Sequence, residues 1–121
     1  ERSDHRTEAD RVFSASWELH RKVCRDYPKS ALYHNNVAWL AARCRRRLDE
    51  ALEHARLAVK YEPRSVAYID TLAEVHFQRG EVKRALLLIK QAIDLERKNG
   101  YLRKQLERFR IGDTTVPPPP S

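Results

Sequence analysis

An internal repeat constrains the fold of this chain more than any other feature. Two segments align with their small residues 34 positions apart, Ala51 with Ala85 and Ala58 with Ala92. Earlier in each unit the offset is 35, which places one extra residue in the first unit, around residues 44–47. Repeats of this length bury their apolar faces by stacking on their neighbours. The period therefore predicts a stack of similar units.

Each unit is predicted to be a helical hairpin, because its apolar residues recur three and four positions apart in two segments separated by a polar turn. Ser30 and Ser65 precede the first helix of each unit, where their hydroxyls can accept from free backbone N–H groups. Gly80 supplies the turn of the second unit. The pair Asn99-Gly100 tolerates the left-handed conformation that ends helices, and we predict a helix stop there.

The composition favours an all-α fold in one domain. Only three of 121 residues are glycine and 34% are charged, as amphipathic helices with solvated outer faces require. No apolar run is long enough to cross a bilayer, and the first ten residues are mostly charged where a secretory signal would be apolar. We therefore expect no membrane segment and, by default, a cytoplasmic location. The net charge of +7 favours acidic partners.

The spacing of the small residues resembles the tetratricopeptide repeat. The residues that carry the resemblance are Ala51, Ala58 and Pro63 in the first unit and Leu72, Ala73, Gly80, Ala85 and Ala92 in the second. The resemblance implies a right-handed superhelical array of antiparallel helical hairpins, an α-solenoid of about six helices. This chain departs from the family pattern at Arg46, where the turn glycine is usual, and at Arg97, where the closing proline is usual.

Two full repeats are fewer than such arrays need to bury a continuous core, so the flanks are expected to complete it. Thr7 with Asp10 is a weak capping signal for a first amphipathic helix. Residues 7–112 then form one helical domain. The predicted segments are a disordered stretch 1–6, a degenerate half-repeat 7–28, repeats 31–63 and 65–98, a capping helix 100–111 and a proline-rich tail 113–121.

The tail is either a linker or a ligand for a proline-reading groove, and the linker is the simpler interpretation. Because the sequence begins without Met, we expect a fragment of a longer polypeptide.

The resemblance also implies a binding surface, because the first helix of each hairpin lines a concave groove in this family. The implied groove residues are Asn35, Asn36, Trp39, Arg43, Asp70, Glu74, Phe77 and Gln78, with Lys104 and Arg108 added by the capping helix. They offer amides, two aromatic anchors and charges of both signs to a peptide or helix of another protein. The alternative for Trp39 and Phe77 is packing against neighbouring helices.

The densest positive patch lies in the first turn and consists of Arg43, Arg45, Arg46 and Arg47. Arginines so placed could hold phosphates or an acidic surface. A solvated turn is the simpler interpretation, because no nucleic-acid-binding signature accompanies them.

No metal, cofactor or enzyme activity is expected from the sequence. His20 and Cys24 lie four apart on one helical face, but the other histidines are scattered, so no ligand set can be assembled. The two cysteines, Cys24 and Cys44, are expected to be small buried hydrophobes. No phosphate-binding loop or nucleophile motif occurs.

The expected function is that of a protein–protein interaction scaffold. The alternatives left open are nucleic-acid binding through the basic surface and self-association through the ends of the array.

Overall fold

In the computed structural model, residues 2–116 are described, with side chains from residue 7 onward, and they form six α-helices without a strand. This confirms the predicted all-α class. The helices are α1 (Arg2–Asp26), α2 (Ala31–Cys44), α3 (Leu48–Tyr61), α4 (Val66–Gln78), α5 (Val82–Leu95) and α6 (Gly100–Ile111). None of the helices in this described part is both long enough and apolar enough to cross a membrane. The four prolines of the predicted tail lie outside the described residues.

The helices pack mainly against their neighbours in the chain. The most extensive contacts join α2 to α3 and α4 to α5, and each of these pairs is connected by only three residues, 45–47 and 79–81. They therefore form two helical hairpins. Helix α4 also contacts α2 and α3, while α1 packs on α2 at one end and α6 on α5 at the other.

Small side chains let the helices of each hairpin approach closely. Ala38 and Ala41 on α2 and Ala51 and Ala55 on α3 are fully buried. Helix α5 repeats this arrangement with Ala85. Because helices pack at a distance set by the side chains between them, bulk at these positions would force the hairpins apart.

The predicted helix starts and the second turn are confirmed. Ser30 Oγ accepts from the Tyr33 N–H at 3.2 Å, and Ser65 Oγ accepts from the Tyr68 N–H at 3.3 Å. Each bond satisfies a backbone donor that has no partner within its helix. Gly80 has a φ of 86°. This conformation costs glycine little free energy, because glycine has no Cβ.

The first turn, residues 45–47, reverses the chain without a glycine. Arg45 and Arg47 both adopt the left-handed region with φ of 55°. The Arg46 N–H donates to the Ala41 carbonyl at 3.0 Å, which caps the end of α2. A left-handed conformation costs a residue with Cβ roughly 1–2 kcal/mol, so other contacts must offset it.

The predicted helix stop at Asn99-Gly100 is wrong. Helix α5 already ends at Leu95, and Asn99 instead begins α6. Its backbone is extended, with ψ of 103°, and its Oδ1 accepts from the Leu102 N–H at 3.2 Å. Asparagine is as good an N-cap as serine, so the pair starts a helix here.

Helix α1 is longer than expected. It begins at Arg2, so Thr7 does not mark its start, and residues 2–6 belong to the helix, although they were predicted to be disordered.

Helix α6 is fixed to α4 by a buried carboxylate. Glu74 is fully buried, and Arg108 Nη1 and Nη2 donate to its two oxygens at 2.7 Å each. Gln105 Nε2 donates to Oε1 at 3.1 Å, and Gln78 Nε2 donates to Oε2 at 2.8 Å. A paired arrangement of this kind meets the large desolvation cost of burying a charge.

Two aromatic rings that pack on each other lie beside the same guanidinium group. The rings of Phe77 on α4 and Phe109 on α6 lie 4.6 Å apart between centroids, and the Arg108 guanidinium lies 5.4 Å from each. The aromatic faces attract the cation and help to exclude water from the ion pair.

Replacing Arg108 with Ala is expected to lower the free energy of unfolding by about 3–5 kcal/mol, because it leaves the Glu74 charge buried and unpaired. The control is Arg110→Ala, an exposed arginine on the same helix, with an expected change within about 0.5 kcal/mol. Urea unfolding followed by circular dichroism measures both. The double change Glu74→Leu with Arg108→Leu should recover part of the loss, and equal effects of the two single arginine variants would contradict the assignment.

Candidate functional site

A cavity of about 410 Å³ lies where α2, α4 and the start of α6 meet. Four of the eight predicted groove residues line it: Asn35, Asn36, Trp39 and Asp70. The remaining lining residues are Val66, Ala67, Thr71, Asn99, Tyr101 and Leu102. Its volume is in the usual range for ligand pockets, about 300–1,000 Å³.

The walls of this cavity combine aromatic surface with amides. Trp39 and Tyr101 are partly buried, so each keeps some surface for a ligand. The Asn35 side-chain oxygen is buried and makes no hydrogen bond to any residue in the described part of the chain. An unpaired amide oxygen costs free energy, which a ligand donor could recover.

Asp70 supplies a carboxyl group that titrates near neutrality. It is buried, and Gln105 Nε2 donates to its Oδ1 at 3.0 Å. Burial raises the pKa of Asp70 to about 7, and the nearby Glu74 carboxylate adds to the rise, while the Gln105 hydrogen bond and Arg108 oppose it. Burial and the two acidic side chains also raise the pKa of Tyr101. One wall of the cavity thus changes charge around neutral pH.

Three predicted groove residues need correction. Glu74 and Phe77 are buried beneath α6 and do not line the cavity, because the last helix covers the second half of the expected groove. Gln78 is held by hydrogen bonds to Glu74 and to the Thr114 carbonyl, the latter at 3.0 Å. The sequence of α6 indicates that this helix packs on another one, because Gln105, Arg108 and Phe109 share one helical face.

The other predicted residues at the edges of the groove do not reach the cavity. Arg43, near the end of α2, and Lys104, on α6, are exposed, and neither is among the lining residues.

Two arginines of the predicted basic patch hold α1. Arg46 pairs with Asp10 at 2.6 Å, and its guanidinium lies 5.2 Å from the centre of the Phe13 ring. The Arg47 guanidinium lies 5.9 Å from the Trp17 ring and also pairs with an acidic residue of α3. Both arginines form ion pairs within the protein, which weakens the case for phosphate binding at this turn.

The third arginine of the patch contacts the segment that follows α6. Arg45 Nη2 donates to the Thr114 carbonyl at 3.1 Å, the same oxygen that accepts from Gln78. Arg108 Nε donates to the Asp113 carbonyl at 2.9 Å. The residues after α6 therefore run back toward the first turn.

A separate cluster brings together three side chains that spacing did not connect. One ligand atom from each of Cys24, His34 and His54 lies within 4.8 Å of the other two. His34 Nδ1 is 2.9 Å from His54 Nδ1, and His34 Nε2 is 2.7 Å from the Pro28 carbonyl oxygen. His20, which spacing had paired with Cys24, instead donates from Nδ1 to a backbone carbonyl one turn back.

Burial affects the ionisation of this cluster. It raises the pKa of the Cys24 thiol and lowers the pKa of His54, which the nearby His34 lowers further. Cys24 and Cys44 are both free, but Cys44 is exposed and not a buried hydrophobe as expected.

No protein-family model matches the chain, and no curated protein is significantly similar to it. The resemblance to the tetratricopeptide repeat therefore depends on the residues and spacing described above.

Replacing Asp70 with Asn is expected to stabilise the protein by about 1–4 kcal/mol near pH 8 and by less at lower pH. The pKa of Asp70 is higher in the folded state than in the unfolded state, so folding favours the protonated carboxyl. Stability is therefore lost as the pH rises from the unfolded value toward about 7. Asparagine cannot ionise and still offers an oxygen to Gln105.

Thermal unfolding across this pH range measures the effect, with the exposed Asp94→Asn on α5 as the control. A gain in stability for Asp70→Asn that does not vary with pH would show that Asp70 does not titrate in this way.

Proposed function

We propose that this chain is a tetratricopeptide-like interaction module that binds a short peptide segment of another protein in the cavity between α2, α4 and α6. The observation that carries the proposal is the gathering of Asn35, Asn36, Trp39 and Asp70 around one cavity of about 410 Å³. The right-handed superhelical arrangement of the hairpins is part of the same proposal. Contacts of α4 with both α2 and α3 support the stacking of one hairpin on the other.

The chemistry of the walls suits a peptide. Asn35 and Asn36 can exchange hydrogen bonds with a main chain, which presents one donor and one acceptor per residue. Trp39 offers a flat apolar surface to one ligand side chain, and anchors of this kind carry most of the binding energy in interfaces. No covalent step is required of these residues, so the proposed role is binding without catalysis.

The position of α6 limits the length of the ligand. Because it covers Glu74 and Phe77, the open part of the groove is confined to the cavity beside α2. An extended segment of a few residues suits this space better than a long helix. The net charge of +7 would attract a segment with acidic flanking residues.

Asp70 is expected to make this binding sensitive to pH. When protonated, its carboxyl can donate a hydrogen bond to a peptide carbonyl, and when ionised it repels an acidic ligand. Since the pKa of Asp70 is about 7, affinity for an acidic peptide should fall as the pH rises past neutrality.

The experiment selects peptides from a random display library against the whole chain and measures their dissociation constants by fluorescence anisotropy. Replacing Trp39 or Asn35 with Ala is expected to weaken binding at least about tenfold, as loss of an anchor contact does. Leu87→Ala is the control, because Leu87 is exposed on α5 and does not line the cavity. Unchanged affinity of a folded Trp39→Ala variant would reject the cavity as the binding site.

A further inference from the structure

The tautomer of His34 is fixed by its surroundings. Its Nε2 lies 2.7 Å from the Pro28 carbonyl oxygen, and a carbonyl can only accept. Nε2 therefore carries the hydrogen, and in the neutral ring Nδ1 presents a lone pair. A backbone carbonyl in this role is the usual outer partner of a metal-binding histidine.

His34 lies beside two further side chains that can bind a metal ion. His54 Nδ1 is 2.9 Å from His34 Nδ1, and Cys24 Sγ lies within 4.8 Å of one ring nitrogen of each histidine. A tetrahedral zinc ion with bonds of about 2.0–2.1 Å to nitrogen and about 2.3 Å to sulfur requires separations of about 3.3 Å between nitrogens and about 3.6 Å between nitrogen and sulfur. The distance between the two Nδ1 atoms must therefore increase by about 0.4 Å, which a small movement of the two rings provides.

The shell around the cluster is aromatic. The Trp17 ring meets His54 edge-on at 6.4 Å between centroids, and the Tyr61 ring stacks on His34 at 6.2 Å. Cys24 and His34 are buried and His54 is partly buried. A mostly dry site with one exposed edge strengthens electrostatic attraction to a cation and still leaves a path of entry.

We propose that Cys24, His34 and His54 form a Zn²⁺ site that fastens α1 to the first hairpin. The three ligands come from α1, α2 and α3, and a fourth position remains for water. On binding, the Cys24 S–H bond breaks, a Zn–S bond forms and the proton passes to the buffer. Helix α1 packs mainly on α2, so the ion adds a direct link from α1 to α3.

The test uses the whole chain, reduced and freed of metal with a chelator, and titrates it with Co²⁺ and then Zn²⁺. We expect a thiolate-to-cobalt charge-transfer band and the intense visible bands of four-coordinate Co²⁺, saturating at one ion per chain and abolished by Zn²⁺. Zn²⁺ should raise the melting temperature and release one proton per chain. If the two histidines form only a hydrogen bond, in which His54 Nδ1–H donates to His34, none of these changes will occur and the proposal is wrong.

The chain offers matched controls for each ligand type. Cys24→Ser should abolish the charge-transfer band and His54→Ala should weaken Co²⁺ binding by more than about tenfold, whereas Cys44→Ser and His20→Ala should bind as the wild type does. If Cys24→Ser fails to fold, the Cys44→Ser variant still decides the matter, because Cys24 is then the chain's only thiol. Absence of the band in Cys44→Ser, or its persistence in Cys24→Ser, would overturn the proposal.

Discussion

The buried Glu74 carboxylate determines where the last helix lies. Removing a charge from water costs several kcal/mol, and only a matching cation with further hydrogen bonds offsets that cost. Arg108 and Gln105 supply both from one face of α6, so α6 can dock in a single register on α4. That register covers Phe77 and places Tyr101 in the wall of the cavity. The contact of Glu74 with Arg108 and Gln105 therefore determines the shape of the cavity.

The same network explains the ionisation of the cavity wall. Asp70 and Glu74 lie one turn apart on α4, and Gln105 donates to both. The guanidinium of Arg108 binds the Glu74 carboxylate through both terminal nitrogens, whereas Asp70 accepts from the neutral amide of Gln105. Buried beside one ionised group, Asp70 has a raised pKa. The contact that fixes α6 thus also sets the charge that a ligand would meet.

Features encoded locally were predictable from the sequence, whereas those that depend on packing were not. Ser30 and Ser65 cap their helices because capping requires only a hydroxyl and the next turn. Asn99 was misassigned because asparagine suits both a left-handed helix end and an N-cap, and adjacent sequence does not decide between them. Four of the eight groove residues predicted on α2 and α4 line the cavity. The burial of Glu74 and Phe77 depends on where α6 docks, and the shared helical face in α6 indicates a buried stripe without identifying the helix against which it packs.

The Cys24 cluster was invisible for a related reason, since its members come from three helices, and sequence spacing reveals ligand pairs only within one helix. The first turn shows how those helices are held together. Arg47 occupies a left-handed conformation that glycine would adopt without strain, yet glycine has no side chain to place over Trp17. Arg45 has the left-handed conformation that Gly80 has in the second turn, and Arg46, which follows it, reaches Asp10 on α1. The first turn therefore differs from the second because its arginines hold α1. Their contacts with α1 offset the backbone strain, and they keep α1, with Cys24, against the first hairpin.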